Sequence, residues 1–260
     1  MTNQPKLISQ KFIIPSLDVL AFLAWGILLL KYRITGQLYL LIHEDYFWLV
    51  IVTGISLLIL AVLKAVQLLQ DLFNGRERNR TVAVLQHITL FPPGWSSILL
   101  LATAILGLLI APRVFTSATA LERGVTESIS FTRSNPQAFR SSVRPEQRSL
   151  IDWVRTLNFN PEPDAYTGQK AKVQGFVVHP PELPPEYLLI SRFIITCCAA
   201  DAYPVGLPVK LIENRNAYIP DTWLEIEGEM ITETFQGKRQ LTIKANSLKK
   251  IDPPKNPYDY

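Results

Sequence analysis

Lys170-Ala171-Lys172-Val173-Gln174-Gly175-Phe176-Val177 alternates, with Ala171, Val173, Gly175 and Val177 on one side of an extended chain and Lys170, Lys172 and Gln174 on the other. Successive side chains of a strand point to opposite faces, so a half-buried β-strand is predicted here. The same period returns at Leu224, Ile226, Gly228 and Met230 against Glu225, Glu227 and Glu229, and again with Leu241, Ile243 and Ala245 inward. Tyr187 to Thr196 and Leu207 to Ile212 bring the total to about five strands, the number of a small Greek-key barrel of OB type. Gly175 and Gly228 fall on inward positions, where a strand bending at a barrel corner often carries glycine. The predicted fold of this half is therefore mostly β, an OB-like five-stranded barrel in which Lys170 and Lys172 lie across from the Glu225, Glu227 and Glu229 ladder. The usual helix between the third and fourth strands has little room in Glu213 to Pro220. An amphipathic helix ahead of Lys170, with Pro145 in its first turn and Leu150, Ile151, Val154 and Leu157 at helical spacing, is expected to cover that end instead.

Moving toward the N-terminus, residues 115–143 are rich in Ser, Thr and Arg without periodicity and read as a linker ahead of a domain over 144–260. Residues 1–114 carry three apolar runs, about 13–30, 46–63 and 95–111, each close to the length of a transmembrane helix. The first ends in Lys31-Tyr32-Arg33 without a small-residue cleavage site, which favours a retained anchor over a signal peptide. The second opens on Tyr46, Phe47 and Trp48 as an interfacial aromatic belt and closes on Lys64, placed to snorkel. Asp18, in the first turns of the first run, reads either as an interfacial acid or as a contact with another membrane protein. Lys6, Lys11, Lys64, Arg76, Arg78 and Arg80 flank one side, against Lys31, Arg33, Arg113 and Arg123 near the other. By the positive-inside rule the N-terminus is cytoplasmic and the C-terminal domain extracytoplasmic. The net charge of +4 lies mainly beside the apolar runs rather than on one face of the domain, which argues against a nucleic-acid partner.

Both cysteines stand at the end of the Tyr187–Thr196 strand, in Thr196-Cys197-Cys198-Ala199-Ala200-Asp201. Adjacent cysteines cannot staple distant parts of a fold. If the strand persists to its end, Cys197 shares a buried face with Phe193 and Ile195 while Cys198 faces away. If the chain instead turns at Ala199, both thiolates are able to converge on a soft ion, zinc or copper, with Asp201 or His179 as a further ligand. A redox-active thiol pair and a plain packing role remain open beside the metal site formed by Cys198, Cys197 and Asp201. His43-Glu44-Asp45 has metal-ligand residue types but reads as a solvated loop, and neither His87 nor His179 has a partner at catalytic spacing. No nucleophile with a base, no phosphate-cradling loop and no paired carboxylates appear, so catalysis is not expected.

The segment Arg192-Phe193-Ile194-Ile195-Thr196-Cys197-Cys198-Ala199-Ala200-Asp201-Ala202-Tyr203-Pro204-Val205-Gly206 resembles the bacterial YcgQ-type family, uncharacterised membrane proteins regarded as candidate permease subunits. Arg123-Gly124, Gly168-Gln169-Lys170 with Gly175-Phe176-Val177, and Asp221-Thr222-Trp223 before Glu227-Gly228 extend the likeness over nearly the whole chain. The ending Pro254-Lys255-Asn256-Pro257-Tyr258-Asp259-Tyr260 is similar to its cyanobacterial branch. The resemblance implies a membrane-anchored, mostly β domain and a companion multi-span permease; with the three apolar runs, a multi-pass protein of the inner membrane, plasma or thylakoid, is expected. The expected function is thus a non-catalytic accessory subunit whose outer domain binds a metal ion or other solute. The alternatives are a membrane-tethered OB-type scaffold for a protein or glycan, and a thiol redox protein using Cys197 and Cys198.

Overall fold

The computed structural model describes residues 4–73, 95–125 and 144–260, with side chains from Ile13 onward in the first helix. Contacts divide the chain into two compact units, Met1–Leu38 with Glu44–Pro112, and Tyr39–His43 with Arg113–Tyr260.

The first unit is helical: α1 (Gln4–Ile34), α2 (Phe47–Phe73) and α3 (Trp95–Leu109). Two helices, not the three expected, are long and apolar enough to cross a membrane, Ile13–Ile34 with mean hydropathy 2.2 and Glu44–Phe73 with 2.6. α3 has 15 residues, which at the α-helical rise is roughly 22 Å, short of a hydrocarbon layer about 30 Å thick. α1 and α2 both outrun their expected ends at Leu30 and Leu63, because Lys31, Tyr32 and Lys64 find partners on neighbouring helices instead of stopping the helix. Lys31 Nζ donates to Leu108 O at 3.0 Å and Tyr32 Oη to Gly107 O at 2.6 Å, satisfying carbonyls that the C-terminus of α3 leaves without intrahelical donors. Trp25 Nε1 donates to Leu100 O at 2.9 Å, so α3 runs parallel to α1. Lys64 Nζ meets Asp18 Oδ2 at 2.6 Å and lies 5.1 Å from the Phe22 ring, so α2 runs antiparallel to it. Ser97 Oγ donates to the other oxygen of Asp18. Asp18 is therefore a junction of all three helices within this chain. The loop with Arg76, Arg78 and Arg80, together with His87, Lys6 and Lys11, lies outside the residues whose side chains are described.

The second unit carries the sheet: β1 (Lys170–Val178), β2 (Tyr187–Ile194), β3 (Tyr203–Lys210), β4 (Trp223–Phe235), β5 (Lys238–Lys250) and β6 (Tyr258–Asp259). Six strands, not five, form one mixed sheet in the order β1-β4-β5-β3-β2-β6, with β1 also paired to β2 through Phe176–Val178. β3 and β5 are parallel over Val209 and Lys210, and β6 is parallel to β2. The expected pairing of the first and fourth strands is present: Lys170 lies opposite Glu229 and Lys172 opposite Glu227. A Cβ on Gly228 would stand 2.2 Å from Lys244 O, and one on Gly175 2.5 Å from Ser191 O, so these glycines are where neighbouring strands come too close for a side chain. Gly228 follows a register shift that leaves Asn246 unpaired between Ala245 and Ser247, a β-bulge that bends the β4–β5 pair.

Each face of this sheet is covered. On one, Val173, Ile190, Leu207, Ile226 and Ile243 pack with Trp153 and Val154 of α5 (Leu150–Phe159), the expected amphipathic helix. It begins at a Ser149–Asp152 capping box, while Pro145 opens a separate short turn, Pro145–Gln147. On the other face Phe176, Leu189, Phe193, Trp223 and Tyr258 pack with Ala120 and Val125. The region expected as a linker therefore contains a packed helix, α4 (Ser117–Glu122), between Thr116, whose side chain caps its start, and Gly124 at φ 74 after its end. Gly124 N donates to Leu121 O and Val125 N to Ala120 O, the paired bonds of a Schellman motif.

Candidate functional site

β2 ends at Ile194, before the cysteines, so the opposite-face expectation fails at its premise. The chain turns out of the extended conformation and makes one turn of 3-10 helix, Ala199–Asp201. The cause is Asp201. Its carboxylate accepts from the backbone N–H of Thr196 at 3.2 Å, of Cys197 at 2.8 Å and of Cys198 at 3.4 Å, and from Thr196 Oγ1. Three amides that would otherwise continue a ladder are gathered on one side chain, and a local Asp bond of this kind outcompetes the strand. Burial works against the charge, but these donors outweigh it and hold the Asp201 carboxyl down at about 2.

The two thiols are brought together at the outside of this turn, Sγ to Sγ 3.6 Å. Cys197 is exposed and Cys198 half-buried, the reverse of the burial expected for Cys197. Hydrogen bonding to Asp201, then to Cys198, pushes the Cys197 thiol up to about 11. A thiol so placed is a slow nucleophile, since reactivity follows the thiolate.

The loop is held from several directions. His43 N donates to Cys197 O at 3.0 Å and Ala199 N to Leu41 O at 2.8 Å, with Ile42 bridged to Cys198 in antiparallel fashion. The segment joining α1 to α2 thus adds a short extended piece to the cysteine loop, and the His43 ring lies 4.1 Å from that of Tyr260. Arg123 donates to Ala202 O while its guanidinium sits 4.8 Å from the Phe115 ring. The C-terminal tail contributes Asp259 O, which accepts from Ile195 N at 3.1 Å. Beneath it, Arg192 forms an ion pair with Asp259 at 3.1 Å and faces the Trp223 ring at 5.6 Å. Burial pushes the Asp259 carboxyl up, against the opposing pull of Arg192 and Arg155.

The flanking positions singled out in the sequence thereby acquire structural roles. Arg123 braces the cysteine loop and Gly124 ends α4. Asp221, at φ 68, accepts from Ser117 N at the start of α4, and Trp223 backs Arg192. The role of Tyr39–His43 left no mark in the sequence beyond an ordinary connecting loop. Of the predicted ligands, Cys197, Cys198 and Asp201 are brought together, but the Asp201 carboxylate is spent on backbone amides. His179 lies at the other end of β2, against the Arg215–Tyr218 turn, where burial and Arg215 push its imidazole down. Among the described residues no group of three or more His, Cys, Asp or Glu is arranged to hold a metal ion. A separate polar cleft of about 470 Å³ lies over the bulge between Lys170, Lys172, Glu227, Glu229, Asn246 and Ser247. Across it Lys172 reaches Glu227 at 2.7 Å and Glu225 at 3.4 Å.

Residues 140–260 match the family model of the DUF1980 C-terminal domain, a stretch lying wholly within the second unit. No curated protein matches the chain.

Proposed function

We propose that the chain is a non-catalytic accessory subunit of a membrane permease, anchored by its helices and presenting the cysteine loop on an OB-type barrel for capture of a solute, a metal ion foremost. The barrel reading is supported by the ring of pairings β1–β2–β3–β5–β4–β1, which is the Greek-key order of a small OB barrel. The observation that carries the functional reading concerns what such barrels normally leave open. Their polymer ligands lie on the face of strands 2 and 3, yet here Leu189, Phe193, Pro204, Gly206 and Pro208 on that face are all buried. The chain fills its own binding face with Phe115, Val125 and Tyr258. That argues against a polymer-binding scaffold and leaves the dithiol turn as the exposed chemistry.

Three crossings are part of the proposal. That Tyr39–His43 and Arg113–Tyr260 belong to one compact unit supports a path in which residues 44–112 leave the membrane on the side where they entered it. If α2 crosses, a return crossing is part of this reading, and the direction of α3, parallel to α1, supports it as that element. Arg76, Arg78 and Arg80 favour the N-terminus in the cytoplasm and the barrel outside, in the inner membrane. The YcgQ-type likeness supports a companion permease. Gentle solubilisation of native membranes followed by affinity capture of the chain is expected to bring down a many-span protein in fixed ratio. Recovery of the chain alone, from membranes crosslinked before solubilisation, overturns the subunit reading.

A further inference from the structure

We infer that Cys197 and Cys198 form a two-thiolate chelate for a thiophilic divalent cation that prefers tetrahedral coordination, zinc being the natural fit, with the other two coordination positions open for exchange. This deepens the solute-capture reading and rests on it. The first argument is the sulfur separation of 3.6 Å. Two bonds of about 2.3 Å at the tetrahedral angle set the sulfurs about 3.8 Å apart, whereas linear two-coordination at the same bond length needs about 4.6 Å. The turn is thus near the tetrahedral bite and would have to open for a linear ion.

The second argument is that the backbone carrying both thiols is tied down before any ion arrives. Asp201 ties the amides of Thr196, Cys197 and Cys198 from one side, and Leu41 and His43 bind the same turn from the other. Preorganisation of this kind lowers the ordering cost that a flexible pair of thiols would meet on binding. Third, both sulfurs belong to residues open to solvent in part or in full. A structural zinc site closes its tetrahedron with four protein ligands, and a catalytic one keeps a single open position. Two protein ligands suit neither role; they suit a place where an ion is taken up and passed on.

The chemistry is acid–base only: two thiols and one divalent ion give one dithiolate complex and two released protons, with no change of oxidation state. Asp201 is a positioning residue in this scheme, not a ligand.

The test uses the full chain, reduced, in detergent, titrated with Cd²⁺ while the ultraviolet thiolate-to-cadmium charge-transfer band and proton release are followed. One equivalent should bind per chain with about two protons released, and Zn²⁺ in excess should compete for the same site. Both Cys197→Ser and Cys198→Ser should abolish the band. Should either variant fold poorly, Cd²⁺ should still protect both thiols of the wild-type chain from maleimide, mapped by mass spectrometry. A band that survives either substitution, or alkylation unaffected by Cd²⁺, overturns the inference. Prompt closure of the pair to a disulfide by glutathione disulfide in the presence of Cd²⁺ overturns it in favour of a redox role. Capture of the many-span partner does not use the thiols, so loss of Cd²⁺ binding with the partner retained sinks this inference alone.

Discussion

Asp201 sets the shape of the cysteine turn with a single carboxylate, so the turn inherits that group's titration. Its pKa in the folded chain, about 2, lies below the value of about 3.9 of an unfolded aspartate. A lowered carboxyl contributes stability that is fully present above the unfolded value and is lost as pH falls through the folded one. The turn should therefore keep its geometry at pH 5 and above and loosen progressively between about pH 4 and about pH 2. Amide hydrogen exchange at Thr196, Cys197 and Cys198 measures this directly, and should accelerate in that window before the strands of the sheet do. Exchange that tracks global unfolding would show that Asp201 is not what holds the turn. The residue types of this site were legible in the sequence, because thiols beside a carboxylate after an apolar run announce chemistry. Their geometry was not. The period-two pattern gave no warning that Asp201 would take the amides of Thr196, Cys197 and Cys198 and end β2 early.

Among elements, β6 is the smallest and the least expected. Its two residues draw the C-terminus alongside β2, place Tyr258 in the core and set Asp259 against Arg192, side chains 29% and 14% exposed. Truncating one partner of a pair this buried leaves an uncompensated charge, at a cost of about 3–5 kcal/mol. Arg192→Ala should destabilise the second unit by that order in chemical denaturation followed by tryptophan fluorescence, and adding Asp259→Asn should recover much of the loss. Simple additivity of the two substitutions would show that the pair is not coupled. Strands with one apolar face were readable in advance, as Val173, Val177, Leu224, Ile226, Leu241 and Ile243 all fall in one core cluster. The extensions were not: Ile231 to Phe235 lack alternation, and the tight turn to β5 is made by Gln236 and Gly237, both at positive φ, where only the glycine signals it. α4 and β6 escaped for another reason. Each is held by partners far away in sequence, Asp221 for α4 and Arg192 for β6, and local pattern has no access to such contacts.

At the scale of the molecule all three helices of the first unit meet at a polar junction, Asp18 of α1 with Lys64 of α2 and Ser97 of α3. In the sequence Asp18 reads as an interfacial acid or a contact with another membrane protein and Lys64 as a snorkelling residue, because the two stand 46 positions apart. In the proposed membrane setting a lone carboxylate at helix depth is worth about 2.5–3.5 kcal/mol of destabilisation. Lys64→Ala should therefore lower the thermal stability of the helical unit in detergent, and Asp18→Asn in the same chain should restore most of it. A Lys64→Ala chain that melts with the wild type would remove the junction from the account.

The insertion of Tyr39–His43 into the cysteine loop has a consequence for biosynthesis. Cys197 and Ala199 are translated roughly 155 residues after His43, which at about 5–20 residues per second is a delay of about 8–30 s. During that interval the backbone groups of Leu41 and His43 that will bind the cysteine turn have no native partner. The β unit is thus begun by residues made before α2 and finished only when the last strand emerges. A fragment starting at Arg113 would lack its first piece, and the cysteine turn would be assembled last.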